Sequence, residues 1–132
     1  MSTGIIGITQ PRRVAAVNLA TRVAEEMAKP LGSIVGYRVR FEEKLSAATK
    51  IKFLTDGMLL REAILDVDLK QYSVMVLDEA HERTVNSDVL LALIKQVVDR
   101  RNATKSPLRL VVMSATLDLE KLIRYFGSDS VV

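Results

Sequence analysis

The sequence predicts an α/β fold, a mostly parallel sheet flanked by helices, and three observations carry that expectation. Short apolar runs recur along the 132 residues, amphipathic stretches of helical period lie between them, and Pro, Gly and Asp mark the changeovers. An apolar share of 48% suffices for one buried core, and no linker, repeat or low-complexity tract divides the chain.

Strands are expected at residues 5–9, 34–41, 50–54, 73–77 and 108–113. The runs Val74-Met75-Val76-Leu77 and Leu110-Val111-Val112-Met113 are apolar without alternation, as in parallel strands covered by helices on both faces. Residues 34–41 alternate instead. Val35, Tyr37, Val39 and Phe41 share one face there, and Gly36, Arg38, Arg40 and Glu42 the other. The first helix follows Pro11, places Ala16, Ala20, Val23 and Met27 inward, and stops at Pro30 and Gly32. A short second helix takes Asp56 as its cap and runs through Leu59, Leu60 and Ala63. The third follows Ser87, with Leu90, Ile94 and Val97 inward and Arg100 and Arg101 near its negative end. A fourth covers 118–127, and residues 42–48 read as a surface loop.

Composition narrows the function classes. There is no cysteine, which excludes disulfides and thiolate metal sites and is compatible with a reducing compartment. No apolar run approaches the roughly 18 residues of a spanning helix, and residues 1–10 lack the basic flank of a signal peptide, so neither a membrane partner nor secretion is expected. The net charge of +3 is unevenly spread, with ten Lys/Arg against five Asp/Glu in residues 1–61 and nine against eleven afterwards. The first half suits an anionic polymer, although long cationic side chains also serve simply to solvate helix faces.

Asp78-Glu79-Ala80-His81 directly follows the apolar run 74–77, so a central strand delivers two carboxylates to the carboxyl edge of the sheet, where such folds bind ligands. In phosphoryl transfer one carboxylate holds the Mg²⁺ shell while its neighbour orients the attacking water, and hhhhDE is the Walker B form of that division. An acidic pair after a strand also occurs as a plain turn or helix start. His81 is the sole histidine, too few for a structural zinc site. Ser114-Ala115-Thr116 follows the last strand and should bring two hydroxyls to the same edge. Thr9-Gln10-Pro11-Arg12-Arg13 sets two guanidinium groups at a strand-to-helix junction that attracts phosphate, and Thr55-Asp56-Gly57 forms a second such junction.

Together these pieces resemble the DEAH-box RNA helicases of helicase superfamily 2. Residues 9–16 are similar to motif Ia of that family, 55–59 to motif Ib, 78–83 to motif II and 114–116 to motif III, while 35–41 are similar to its GYxVRF stretch. The resemblance implies that residues 1–132 are part of a first RecA-like domain, a P-loop NTPase-type fold, using ATP and Mg²⁺. It also implies that Asp78 lies on the Mg²⁺ water shell and that Glu79 activates the hydrolytic water. His81 would sense a second RecA-like domain, and Ser114 with Thr116 would couple nucleotide state to strand separation. Arg12 and Thr55 would lie near the RNA backbone; Arg13 at the same junction, and Arg38 and Arg40 on the alternating strand, are further candidates for RNA contact. An accessory activator protein is a further candidate partner, and the nucleus is expected ahead of the cytoplasm. One departure stands out: the six glycines include none that precedes a lysine, so the phosphate loop G-x-x-x-x-G-K-[ST] is absent. The family places that loop before motif Ia. Without it the chain alone is expected to be inactive and its sheet poorly covered. The alternative is a non-enzymatic module that binds RNA or a helicase partner.

Overall fold

A computed structural model of the chain describes residues 4–77 and 85–112, with residues 85–88 by backbone alone. In chain order the elements are β1 (Ile5–Gln10), α1 (Arg13–Glu26), β2 (Val35–Val39), β3 (Glu42–Lys44), β4 (Ile51–Thr55), α2 (Asp56–Leu65), β5 (Tyr72–Leu77), α3 (Val85–Asn102) and β6 (Arg109–Val112). The expected fourth helix lies outside the described residues.

The strands form one sheet in the order β3-β2-β4-β1-β5-β6. Every neighbouring pair is parallel except β2 with β3. Because side chains alternate across a strand, the sheet feeds two cores. On one face α2 and α3 bury Leu59, Leu90, Ile94 and Val97 against Leu54, Tyr72, Met75, Leu110 and Val112. On the other, α1 lays Ala16, Ala20 and Ala24 over Val35, Tyr37, Val39 and Phe53. Three alanines in a row along that face let the helix axis approach the sheet closely.

Several expectations need correction. The inward face of α1 ends at Ala24; Met27 is 40% exposed, because the helix has already closed there. It closes on Ala28 at φ +56°, with Ala28 N–H donating to Glu25 O and Lys29 N–H to Ala24 O, the paired bonds of a Schellman ending. The cap of α2 is Thr55, whose hydroxyl accepts from Met58 N–H at 3.4 Å, while Asp56 is the first helical residue and is buried. α3 begins at Val85, ahead of Ser87. Residues 42–48 are not all loop. Glu42–Lys44 turn back on β2, with Val39 opposite Glu42 and Tyr37 opposite Lys44. Phe41 is not on the buried face: it sits in the two-residue turn of that hairpin at φ +70° and is 91% exposed. Gly36 makes the hairpin possible, since a Cβ there would stand 2.2 Å from the Lys44 carbonyl oxygen. Finally, the described helices cover only one face of β5; Val74 and Val76 on its other face are half-buried, because α1 lies over β2 and β4.

Candidate nucleic-acid interface

Register decides what the carboxyl edge brings together. Thr9 of β1 stands level with Leu54 of β4 and Leu77 of β5, Gln10 is level with Thr55, and Leu77 with Val112 of β6. Arg38 of β2 is level with Leu54. Five parallel strands therefore finish within a residue or two of one another, and the segments carrying Arg12, Arg13, Thr55, Arg38 and Arg40 all open on this one edge. Leu77 is the last residue of an interior strand, so the acidic motif is attached where the sheet is held on both sides. Asp78, Glu79, His81, Ser114 and Thr116 themselves lie outside the described residues.

The basic residues divide by environment. Thr9 and Gln10 are buried in the sheet, Thr9 donating its hydroxyl to Val76 O at 3.4 Å, so the Thr9-to-Arg13 segment reaches the surface only from Pro11 onward. Arg12 is exposed at the entry to α1. Arg13 donates to Glu42 across 2.9 Å and ties α1 to the β2–β3 hairpin. Tyr37 donates to the second oxygen of Glu42 at 2.7 Å; that bond, followed by the charge of Arg13, holds the carboxyl below its usual range. The same bond raises the Tyr37 phenol, with burial adding to it. Arg40 is exposed, its guanidinium carbon 4.8 Å from the centroid of the Phe41 ring.

Arg38 and Thr55 depart from a purely RNA-facing role. The Thr55 hydroxyl is engaged in capping α2. Arg38 is one-third exposed and turns inward, donating to Glu62 at 2.9 Å. Glu62, buried on α2, also accepts from Lys52 at 2.8 Å and from the Tyr72 hydroxyl at 2.5 Å. Tyr72 is pushed far above the ordinary tyrosine range by burial, then by the Glu62 charge. This polar knot joins β2, β4, β5 and α2 across one face of the sheet, reaching from Arg38 near the carboxyl end of β2 to Tyr72 at the amino end of β5, and sequence reading missed it. A lysine at the centre of an otherwise apolar strand, Ile51-Lys52-Phe53-Leu54, was the available signal. Among the described residues no group of three His, Asp or Glu is placed to hold a metal ion.

Residues 8–124 match the family model described as DEAD/DEAH box helicase. The chain belongs to the DEAD/DEAH box helicase family. Among curated helicases it is 57% identical over 125 residues to "ATP-dependent RNA helicase DHX33" of Mus musculus, covering 94% of this chain and 18% of that protein. It is 56% identical to the protein of the same name from Drosophila melanogaster over 125 residues, again 94% and 18%. Against "Probable ATP-dependent RNA helicase DHR2" of Saccharomyces cerevisiae the identity is 52%, covering 95% and 17%. The chain thus spans under a fifth of the length of these helicases. Among the described residues, the six-stranded, mostly parallel sheet with flanking helices is that of a partial RecA-like helicase domain.

Proposed function

We propose that residues 1–132 are part of the first RecA-like domain of an ATP-dependent DEAH-type RNA helicase, and that the carboxyl edge of the sheet is its working face. The observation that carries the reading is the shared register of β1, β4, β5 and β6. Strands held level at Thr9, Leu54, Leu77 and Val112 give the segments that follow them a common, rigid origin. In this reading Asp78 would hold the water shell of Mg²⁺ and Glu79 would orient the attacking water. The bound ion would supply charge neutralisation at the ATP phosphates. His81 would contact a second RecA-like domain, and Ser114 and Thr116 would relay nucleotide state. An accessory activator protein and a nuclear location complete the proposal.

On the RNA side, Arg12 and Arg40 supply phosphate contacts, with Arg13 contributing charge from its pair with Glu42. Phe41 adds a feature that the basic residues lack. A bulky side chain at positive φ costs roughly 1–3 kcal/mol, and at 91% exposure it returns no burial, so its presence is best explained by a base stacking on the ring. The test is RNA binding and RNA-stimulated ATP turnover in the parent helicase. Phe41→Gly should leave melting unchanged or higher while weakening single-stranded RNA binding about tenfold, on the basis of the 1–3 kcal/mol of one stacked base. Glu79→Gln should abolish turnover and spare RNA affinity. The 132-residue chain by itself should show no ATP turnover; magnesium-dependent hydrolysis lost on Glu79→Gln would refute that.

A further inference from the structure

A second cationic feature lies at the other end of the strands. The starts of β1 and β5 and the loop entering β6 enclose a polar cleft of about 780 Å³. Lys70, Arg101, Lys105 and Arg109 line it, with Gln71 and Ser106 between them, and no carboxylate among the described residues does. Among the described acids around it, Asp66 accepts from Lys70 N–H at 2.8 Å, Asp68 pairs with Arg100 at 2.9 Å, and Glu62, bonded to the lining residue Tyr72, is already held by Lys52 and Arg38. Among the described residues Lys70, Lys105 and Arg109 form no ion pair, and all three are exposed.

The floor of the cleft is built. Arg101 is 5% exposed and donates to the carbonyls of Leu69 at 2.9 Å, Tyr72 at 2.6 Å and Ser106 at 3.0 Å. Its partners are neutral, so its positive charge is not cancelled by an ion pair, and burial holds its pKa below the usual guanidinium value. Fixing these three carbonyls around one guanidinium also sets the spacing of the free cations above it. Among the described residues Tyr72 is the one aromatic ring in the lining, and it is fully buried, so none of them offers an open ring for a base to stack on. A site with several mobile cations and no open ring grips phosphate without reading sequence.

We propose that this amino-edge cleft is a second, sequence-independent contact for the phosphodiester backbone of an RNA strand, separate from the carboxyl edge. Six residues of β1 separate the two edges by roughly 20 Å at the usual rise of a strand, so a strand of several nucleotides outside the sheet can reach both. The proposal rests on the RNA-binding reading above for the source of the phosphates.

The test compares two variants of the 132-residue chain, each checked for an unchanged circular dichroism melt, in titrations of a labelled single-stranded oligouridylate over a range of salt. Lys70→Glu/Lys105→Glu/Arg109→Glu should weaken binding at least about tenfold and flatten the slope of log K against log salt by about 2, at roughly 0.7 per lost contact on a single strand. Unchanged affinity and slope in this variant, while Arg12→Glu/Arg40→Glu loses binding, overturns the cleft and leaves the carboxyl edge standing. No RNA binding by any form overturns both. Binding of ADP, inorganic phosphate or polyglutamate that the triple variant loses, with RNA affinity untouched, assigns the cleft to another anion and also overturns the proposal.

Discussion

Replacing Glu62 by Gln should be among the most damaging single-atom changes available in this chain. The carboxylate is 4% exposed and is shared by Lys52, itself 3% exposed, by Arg38 and by the Tyr72 hydroxyl. Glutamine keeps the shape and an acceptor for Tyr72, but it removes the charge and can turn an NH₂ towards an ammonium that cannot reach water. Stranding a buried cation in this way costs about 3–5 kcal/mol. Arg38 adds little, because a third of its side chain meets solvent and Glu43 stands 3.9 Å away as a substitute. For a domain of this size the loss corresponds to a fall in melting temperature of roughly 10–20 °C. Lys52→Met removes the stranded charge while keeping the stem, so Lys52→Met/Glu62→Gln should recover most of the stability lost in Glu62→Gln alone. Thermal and urea unfolding of the four proteins in the cycle measure the coupling. A Glu62→Gln loss below about 1 kcal/mol, or a double variant no better than the single, would refute the argument that the unpaired Lys52 is the cause.

Alkali should unfold the chain for a related reason. The Tyr37 and Tyr72 phenols are both raised in the folded state, so their contribution is complete below the unfolded value of 10.0 and is lost as pH climbs above it. Melts from pH 8 to 11.5 should fall steeply past pH 10, with phenolate absorbance at 295 nm rising together with unfolding. Gly36→Ala should lower stability by about 1–3 kcal/mol or expel β3, since the atom in the way is a backbone oxygen; loss of the Val39–Glu42 cross-strand contact by NMR would report it. Ala28→Gly should raise stability by about 0.5–1 kcal/mol in urea unfolding, because glycine adopts φ +56° without a Cβ penalty.

Sequence and structure agree where periodicity carries the information. The five expected strands appear among the described residues as β1, β2, β4, β5 and β6, with β2 ending at Val39 rather than at residue 41, and the starts and inward faces of the three described helices lie near their expected places, because burial on one face imposes period 2 or 3.6 on the residues themselves. What could not be read is what depends on contacts distant in sequence. Three consecutive polar residues, Glu42-Glu43-Lys44, resemble a loop until β2 offers them a ladder and Gly36 offers them room. Arg38 belongs to the face that alternation assigns it, yet only the fold shows that Glu62, on the next helix along the chain, waits there. The candidate site was legible as a set of segments on one edge; which cations stay on the surface was not, because that choice is made by Glu42 and Glu62.

The Arg101 guanidinium distributes resistance to motion unevenly. By bonding the carbonyls of Leu69, Tyr72 and Ser106, it ties the entries of β5 and β6 to the end of α3 as one stiff block. On the other side, among the described residues, β3 pairs only with β2 at the edge of the sheet, and its tie to α1 runs through the exposed Arg13–Glu42 bond, which is weak. Mechanical load applied by a ligand pulling on this chain will therefore be absorbed at the tip that carries Phe41, while the block behind it transmits force as a lever.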